Sequence, residues 1–184
     1  MSIRQLAGTT AIVTGASRGF GRATTVSLVE RGAHVVGVAR NQEQLAELEE
    51  ELGEAFTPEV ADVAEPTLAA RLIGDWRPQT VVLNAGATPP VGSLGEQTWD
   101  MFSTNWNVDV QHVFNFSRDV LTAPLAPGSV VVSLSSGAAL VGSPLSGGYA
   151  GAKATIKLIS SYARLEAQRS ALERTSASCP SCPC

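Results

Sequence analysis

Cysteine is missing from the first 178 residues, and all three cysteines lie in the last six positions, at Cys179, Cys182 and Cys184. Their Cys-x-x-Cys-x-Cys spacing is compatible with metal ligation, but the fourth ligand and the flanking fold of a closed zinc site are missing. We therefore expect no bound metal. A short tail that is rich in Ser, Pro and Cys is more typical of a disordered terminus.

The chain also lacks an excess of positive charge, since 13 Lys and Arg residues stand against 17 Asp and Glu residues. A nucleic-acid-binding domain typically has a high isoelectric point, whereas the value here is near 5.2. No apolar run approaches the roughly 18 residues that suggest a membrane span. Residues 1–6 run into the first predicted strand and leave no room for a signal peptide. We therefore predict a cytoplasmic protein that binds neither nucleic acid nor membranes.

Strand and helix patterns alternate along the chain. Hydrophobic residues make up 44% and aromatic residues 5% of the 184 residues, which suits helices packed closely on a parallel sheet. The alternation predicts βαβ units in one α/β domain. The predicted strands are 10–14, 34–39, 56–61, 80–84 and 129–133. The predicted helices are 22–31, a second with the apolar stripe Leu45, Leu48 and Leu52 and an Asn41 cap, then 67–74, 96–120 and 149–169.

A glycine-rich segment directly follows the first predicted strand and opens the first helix. It reads Thr14-Gly15-Ala16-Ser17-Arg18-Gly19-Phe20-Gly21. Glycines allow a tight turn and a close backbone approach, and a helix N-terminus offers free N–H groups to a pyrophosphate. An ordinary βα turn would explain the same glycines, but the order of strand, turn and helix favours a dinucleotide site.

Tyr149 and Lys153 lie four residues apart in a predicted helix, with Ser136 thirteen residues before Tyr149. Residues at this helical spacing share one face, and the lysine charge would favour the phenolate over the phenol. The serine hydroxyl could hold a substrate oxygen against the tyrosine, so the three indicate proton transfer coupled to hydride transfer. Ser135 is a rival for the serine role, and a Tyr and Lys at this spacing also occur by chance.

Taken in order, these motifs resemble the short-chain dehydrogenase/reductase (SDR) family over about residues 8–169. Asp62-Val63 resembles the adenine-contacting pair of the family, and Asn84-Ala85-Gly86 resembles its sheet-stabilising motif. The resemblance implies a Rossmann-type, doubly wound parallel sheet between two helical layers, with the site between strands one and four. It also implies an NAD(P)-dependent oxidoreductase that interconverts a carbonyl and an alcohol. The implied catalytic residues are Ser136, Tyr149 and Lys153, and the implied cofactor residues are Gly15, Ser17, Arg18, Gly19, Phe20, Gly21, Arg40, Asp62, Val63, Asn84, Ala85, Gly86, Tyr149 and Lys153.

The residues after the second strand indicate which cofactor is preferred. An acidic residue there would bind the ribose hydroxyl of NAD, but this chain has Ala39 followed by Arg40. Arg18 offers a second guanidinium, and two arginines can bind an extra phosphate through charge-assisted hydrogen bonds. NADP is therefore predicted rather than NAD, although both arginines would also suit a solvated surface.

The chain departs from the family in the long helix 96–120. The family has an asparagine there that supports a water relay beside the lysine. Matching Trp99, Phe102 and Phe114 to the family pattern places Asp109 at that position. Asn105 and Asn107 lie nearby but on other faces. An aspartate could accept a hydrogen bond from water and alter the charge balance around Lys153 and Tyr149. It could equally be an ordinary polar helix residue.

A second departure follows the last predicted helix, where the sixth and seventh strands of the family are missing. We therefore divide the chain into an NADP-binding domain, 1–169, and an atypical, disordered tail, 170–184, which we interpret as a shifted reading frame or a truncated gene model. A rival function is a dinucleotide-binding protein without turnover, and an unstable polypeptide is a third possibility. The family commonly pairs long helices between subunits, so a homo-oligomer through 96–120 and 149–169 is also expected.

Overall fold

Five apolar segments form one parallel sheet in the computed structural model, which describes residues 6–123 and 125–177. The strand order is β3-β2-β1-β4-β5, so the sheet grows outward on both sides of β1. The chain therefore reverses direction across the sheet between β1 and β4, as in a doubly wound fold. The strands are β1 (Thr10–Thr14), β2 (His34–Ala39), β3 (Phe56–Val60), β4 (Thr80–Leu83) and β5 (Val130–Ser133).

Helices cover both faces of the sheet. One core cluster packs β1 and β2 against Leu45 and Leu48, with Val26 and Val29 beside it. The other packs the opposite sheet face against Leu72, Phe116 and Ile156 together with their neighbours. The three-layer α/β fold is therefore confirmed. The helices are α1 (Gly19–Glu30), α2 (Gln42–Leu52), α3 (Leu68–Trp76), α4 (Trp99–Asn105), α5 (Gln111–Thr122), α6 (Ala138–Val141) and α7 (Gly147–Ala177).

Local sequence signals explain the start of α2. The Asn41 side chain accepts a hydrogen bond from the backbone N–H of Gln44 at 2.9 Å, which is the N-cap predicted from the sequence. Leu45 and Leu48 are fully buried one turn apart, while the acidic residues of the helix are exposed. The helix therefore attaches to the sheet by one apolar stripe.

Several predicted boundaries differ from the structure. Helix α1 begins at Gly19 rather than at residue 22, so the last two glycines of the turn belong to its first turn. The predicted helix 96–120 begins at Trp99, and a π-helical segment, Trp106–Val110, separates α4 from α5. Helix α6 was not predicted. Helix α7 continues to Ala177, so residues 170–177 are helical although a disordered tail was expected. The rest of that tail, 178–184, lies outside the described residues.

Strand β5 forms one edge of the sheet. Within residues 6–123 and 125–177 the sheet has five strands, as expected for an SDR sheet without its sixth and seventh strands. Val130, Val131 and Val132 of this edge strand are exposed. Among the described helices, none has the length and apolar character needed to cross a bilayer.

Candidate cofactor and catalytic site

The turn between β1 and α1 has no room for side chains at two of its glycines. Gly15 has a φ of +67°, and a Cβ there would lie 2.8 Å from Nδ2 of Asn84. A Cβ on Gly21 would lie 2.0 Å from the carbonyl oxygen of Gly15. The backbone of the turn and the start of α1 are therefore in direct contact. The first N–H groups of α1 have no partner within the helix and are free to bind an anion.

Thr14 and Asn84 join the ends of β1 and β4 beneath this turn. Oγ1 of Thr14 donates to the Val82 carbonyl at 3.2 Å and accepts from the N–H groups of Asn84 and Ala85 at 2.9 and 3.2 Å. In return, Nδ2 of Asn84 donates to the Thr14 carbonyl at 3.0 Å. This network holds the two strand ends together at the point where the strand order reverses. Thr14 begins the glycine motif but was not assigned a role from the sequence.

A cleft of about 490 Å³ opens over the carboxyl ends of the strands. Ten of the fourteen predicted cofactor residues line it: Gly15, Ser17, Arg18, Gly19, Arg40, Asp62, Val63, Asn84, Ala85 and Gly86. Ala39, whose place was used to predict the cofactor, also lines it, and six further residues of its wall were not predicted: Val38, Asn41, Gln44, Ala61, Ala87 and Val108. Asn41 had a signal only as a helix cap, and the others carry no recognisable binding pattern.

Phe20 and Gly21 do not line this cleft. The Phe20 side chain is 81% exposed and lies on a different, shallow surface with Ala23 and Ser27. The structure therefore does not bring the Phe20 side chain together with the other predicted cofactor residues. Gly21 lies beneath the turn against Gly15, so its absent side chain supports the shape of the turn.

Two arginines give the rim of the cleft a positive charge. Arg18 precedes α1, and Arg40 follows β2. Nη1 of Arg40 lies 3.9 Å from Oδ2 of Asp62, and the Arg40 side chain is 78% exposed. An ion pair this long and this exposed contributes little to stability, so the Arg40 guanidinium can be redirected to another anion.

Lys153 and Asp109 form a buried ion pair beside the cleft. Nζ of Lys153 lies 3.0 Å from Oδ2 of Asp109, and the two side chains are 9% and 1% exposed. Oδ1 of Asp109 accepts the backbone N–H of Ala87 at 2.8 Å. A Cβ on Gly86 would lie 2.8 Å from Oδ2 of Asp109, so the carboxylate lies directly against this loop. The backbone of Gly86 and Ala87 therefore lies between the cleft and the buried ion pair.

Tyr149 lies next to this ion pair on α7. Its ring is half-buried, and Nζ of Lys153 lies 5.6 Å from the ring centroid. Oγ of Ser136 accepts the N–H of Ala138 at 3.2 Å, which leaves the hydroxyl proton for another partner. Oγ of Ser135 instead donates to the Lys153 carbonyl at 2.9 Å. The Ser135 hydroxyl thus donates its hydrogen bond to the α7 backbone. This favours Ser136 over Ser135 for contact with a substrate.

His112 lies one turn after Asp109 and was not predicted as part of the site. It is fully buried, and its ring meets Phe116 edge to face with centroids 5.2 Å apart. Burial lowers the pKa of His112 to about 3, while the Ala85 backbone acts in the opposite direction and the Lys153 charge adds to the lowering. The imidazole is therefore neutral near pH 7 and adds no charge to the Lys153–Asp109 pair.

Residues 9–182 match the family model described as short chain dehydrogenase. The chain belongs to this family. Among curated relatives, the chain is 34% identical over 129 residues to L-xylulose reductase of Mesocricetus auratus, covering 68% of this chain and 52% of that enzyme. It is 30% identical over 164 residues to NADPH-dependent pterin aldehyde reductase of Arabidopsis thaliana, covering 84% and 67%. The chain thus spans about half the length of the L-xylulose reductase that it matches.

A solved structure shares the fold of this chain. It is a short chain dehydrogenase/reductase from Burkholderia phymatum in complex with NAD, with a TM-score of 0.79 and 22% identity. The match covers 87% of this chain and 60% of that one. Within the described part of the chain, no three His, Cys, Asp or Glu side chains are grouped so that they could hold a metal ion. The three cysteines lie outside that part.

Proposed function

We propose that this short chain dehydrogenase is an NADP-dependent oxidoreductase that interconverts a carbonyl and an alcohol. The supporting observation is that the glycine-lined cleft and the Tyr149–Lys153 pair meet at one loop. Gly86 and Ala87 line the cleft, and the Ala87 N–H is bonded to the carboxylate that pairs with Lys153. A cofactor in the cleft would therefore end beside a residue that can transfer protons.

The residues of the cleft fit a dinucleotide. The β1–α1 turn has no space for a Cβ at Gly15 or Gly21, so its backbone and the α1 N-terminus would hold the pyrophosphate. Asp62 and Val63 line the same cleft and would contact the adenine. Lys153 would hold the nicotinamide ribose. When bound, the nicotinamide supplies a hydride to a carbonyl carbon or accepts one from an alcohol carbon.

Tyr149 would act as the general acid and base. Its hydroxyl would donate a proton to the substrate oxygen during carbonyl reduction and accept one during alcohol oxidation. The Ser136 hydroxyl accepts the Ala138 N–H, so its own O–H would donate a hydrogen bond to the same substrate oxygen and orient it.

The preference for NADP over NAD is supported by charge. Arg18 and Arg40 both line the cleft, and Ala39 occupies the place of the acidic residue that would bind the ribose of NAD. The Arg40–Asp62 contact is long and exposed, so a phosphate could replace Asp62 as the partner of Arg40 at little cost. Among the relatives, the Arabidopsis thaliana enzyme is named as NADPH-dependent, which agrees with this proposal.

Two measurements test the proposal. NADPH and NADH binding is measured by titration, and NADPH oxidation is then measured over a panel of aldehydes, ketones and sugars. We expect tighter binding of NADPH, turnover with at least one carbonyl, and loss of turnover in Tyr149→Phe with binding retained. Binding without oxidation by the parent chain would instead support the rival function, a dinucleotide-binding protein without turnover. Absence of binding to either dinucleotide would overturn both.

A homodimer through the long helices is a further part of the proposal. An apolar groove runs between α4, α5 and α7, and the aromatic side chains of Trp99, Phe102, Trp106 and Phe114 line it. Trp99 and Phe114 are at least half exposed, which is unusual for aromatic residues of an isolated subunit. Light scattering after size-exclusion chromatography should give twice the mass of the 19.1 kDa chain, and Phe114→Glu should give the monomer. A monomeric parent chain would contradict this.

A further inference from the structure

The Lys153 ammonium is held by a carboxylate. Oδ2 of Asp109 lies 3.0 Å from Nζ, and the Leu134 carbonyl lies 3.5 Å from it. An ammonium group has three N–H donors, so these two acceptors leave one N–H for a ribose or a phenol oxygen. The SDR resemblance had implied an asparagine and a water relay at this place, and neither would bring a negative charge into contact with the lysine.

The surroundings hold the Asp109 carboxylate in this position. Its Oδ1 accepts the Ala87 N–H at 2.8 Å, and Nδ2 of Asn105 lies 3.4 Å from both oxygens. Nδ2 of Asn105 also donates to the Ala87 carbonyl at 2.9 Å, so the amide braces the same loop. Hydrogen bonds from two neighbours and the ion pair with Lys153 therefore hold this carboxylate in place.

We propose that Asp109 is a positioning residue that fixes the Lys153 ammonium and cancels most of its charge at Tyr149. Tyr149 therefore faces a nearly neutral ion pair rather than an isolated cation. The ammonium still offers its remaining N–H as a directed donor. The consequence for turnover rests on the proposed function, but the charge cancellation itself does not.

Among the described residues, the printed contacts bring four ionisable groups together here. Lys153 and Tyr149 come from α7, Asp109 comes from the π-helical segment, and His112 comes from α5. The turn after β5 brings backbone carbonyl and serine hydroxyl groups. His112 stays neutral above acidic pH because burial lowers its pKa to about 3. Removing the Asp109 charge should therefore act on Tyr149 without interference from the histidine.

The chain offers a direct test because it has only two tyrosines, Tyr149 and Tyr162. Tyr162 is exposed, so Tyr162→Phe gives a folded background in which phenolate absorbance reports on Tyr149 alone. In that background, Asp109→Asn should lower the pH midpoint of the phenolate absorbance by about one to two units, since it uncovers the lysine charge. Asp100→Asn, which removes an exposed charge from α4, is the matched control and should leave the midpoint unchanged.

Asp109→Asn leaves a buried lysine without a carboxylate partner and so risks misfolding. A double variant keeps the inference testable in that case. Asp109→Asn with Lys153→Met removes both charges, and its midpoint should stay within about half a unit of the background. The inference is overturned if the phenolate midpoint of Asp109→Asn equals that of the Tyr162→Phe background. It is also overturned if the midpoint of the double variant is more than one pH unit above that of the background. If the midpoints behave as expected but no carbonyl is reduced, the charge cancellation stands and the proposed function fails.

Discussion

Replacing Gly21 with alanine should disrupt the β1–α1 turn and abolish dinucleotide binding. The new Cβ would lie 2.0 Å from the Gly15 carbonyl oxygen and 2.6 Å from Nδ2 of Asn84. Carbon and oxygen atoms in contact normally lie about 3.4 Å apart, so the turn and α1 must separate by more than about 1 Å. Both opposing groups are held in place, since Asn84 is hydrogen-bonded to the end of β1. The clash cannot be relieved by moving one flexible side chain.

The cost can be divided into stability and binding. Overpacking of this kind costs about 1–3 kcal/mol of unfolding free energy, which lowers the melting temperature by roughly 3–10 °C in a chain of this size. A shift of about 1 Å also misaligns the N–H groups at the start of α1. Losing two charge-assisted hydrogen bonds weakens binding by roughly 100-fold or more. Thermal unfolding and NADPH titration measure the two effects separately.

Two other glycines serve as controls. Gly74 is exposed in α3 with nothing within 4 Å of an added Cβ, so Gly74→Ala should raise stability by about 0.5–1 kcal/mol and leave NADPH binding unchanged. Gly19 also has open space but a φ of +55°, so Gly19→Ala should cost about 1 kcal/mol through backbone strain alone. A Gly21→Ala protein that melts with the parent and binds NADPH equally well would refute the steric reasoning.

Three further outcomes are expected. Thr14→Val should lower the unfolding free energy by about 2–4 kcal/mol in urea titration, because the N–H groups of Asn84 and Ala85 lose their acceptor, whereas Thr14→Ser should be much milder. Burial lowers the pKa of His112 to about 3, so the unfolded chain binds a proton there that the folded chain does not as the pH falls below about 6.5. The unfolding free energy should therefore fall between about pH 6.5 and 3, and His112→Leu should flatten this part of the profile; an unchanged slope would contradict it. Arg40→Asp should weaken NADPH binding by roughly 10-fold or more while sparing NADH, and equal losses for both would argue against the NADP preference.

The strands and the glycine turn were predictable from local sequence. The bounds of β1 and β2 coincide with the predicted segments, and β3 and β4 differ by one residue at one end. A strand that is buried on both faces must be apolar throughout, so a short apolar run that ends in a glycine turn predicts a central strand of the sheet. The spacing of Tyr149 and Lys153 also carried over directly, because residues four apart on a helix share a face wherever the helix lies.

The partner of Lys153 was harder to predict. Asn105 was expected on a different face from Asp109, but that expectation was wrong: the two are four residues apart, and Nδ2 of Asn105 lies 3.4 Å from both Asp109 oxygens. The π-helical segment Trp106–Val110 widens one turn, which shifts the phase of every later residue relative to α4. As a result Asp109 reaches Lys153 while Asn105 braces the loop at Ala87. Neither the composition nor the hydrophobic periodicity of the sequence predicts a π-helical turn.

By itself, the sequence determined the α/β class, the glycine-rich turn between β1 and α1, and which side chains carry reactive or charged groups. These features depend on local pattern and on residue type. The tertiary structure alone decided which groups meet. It paired Lys153 with Asp109, engaged Ser135 with the α7 backbone, and turned Phe20 away from the cleft. The physical reason is that these outcomes depend on helix phase and on contacts between segments far apart in the chain, which no short stretch of sequence encodes.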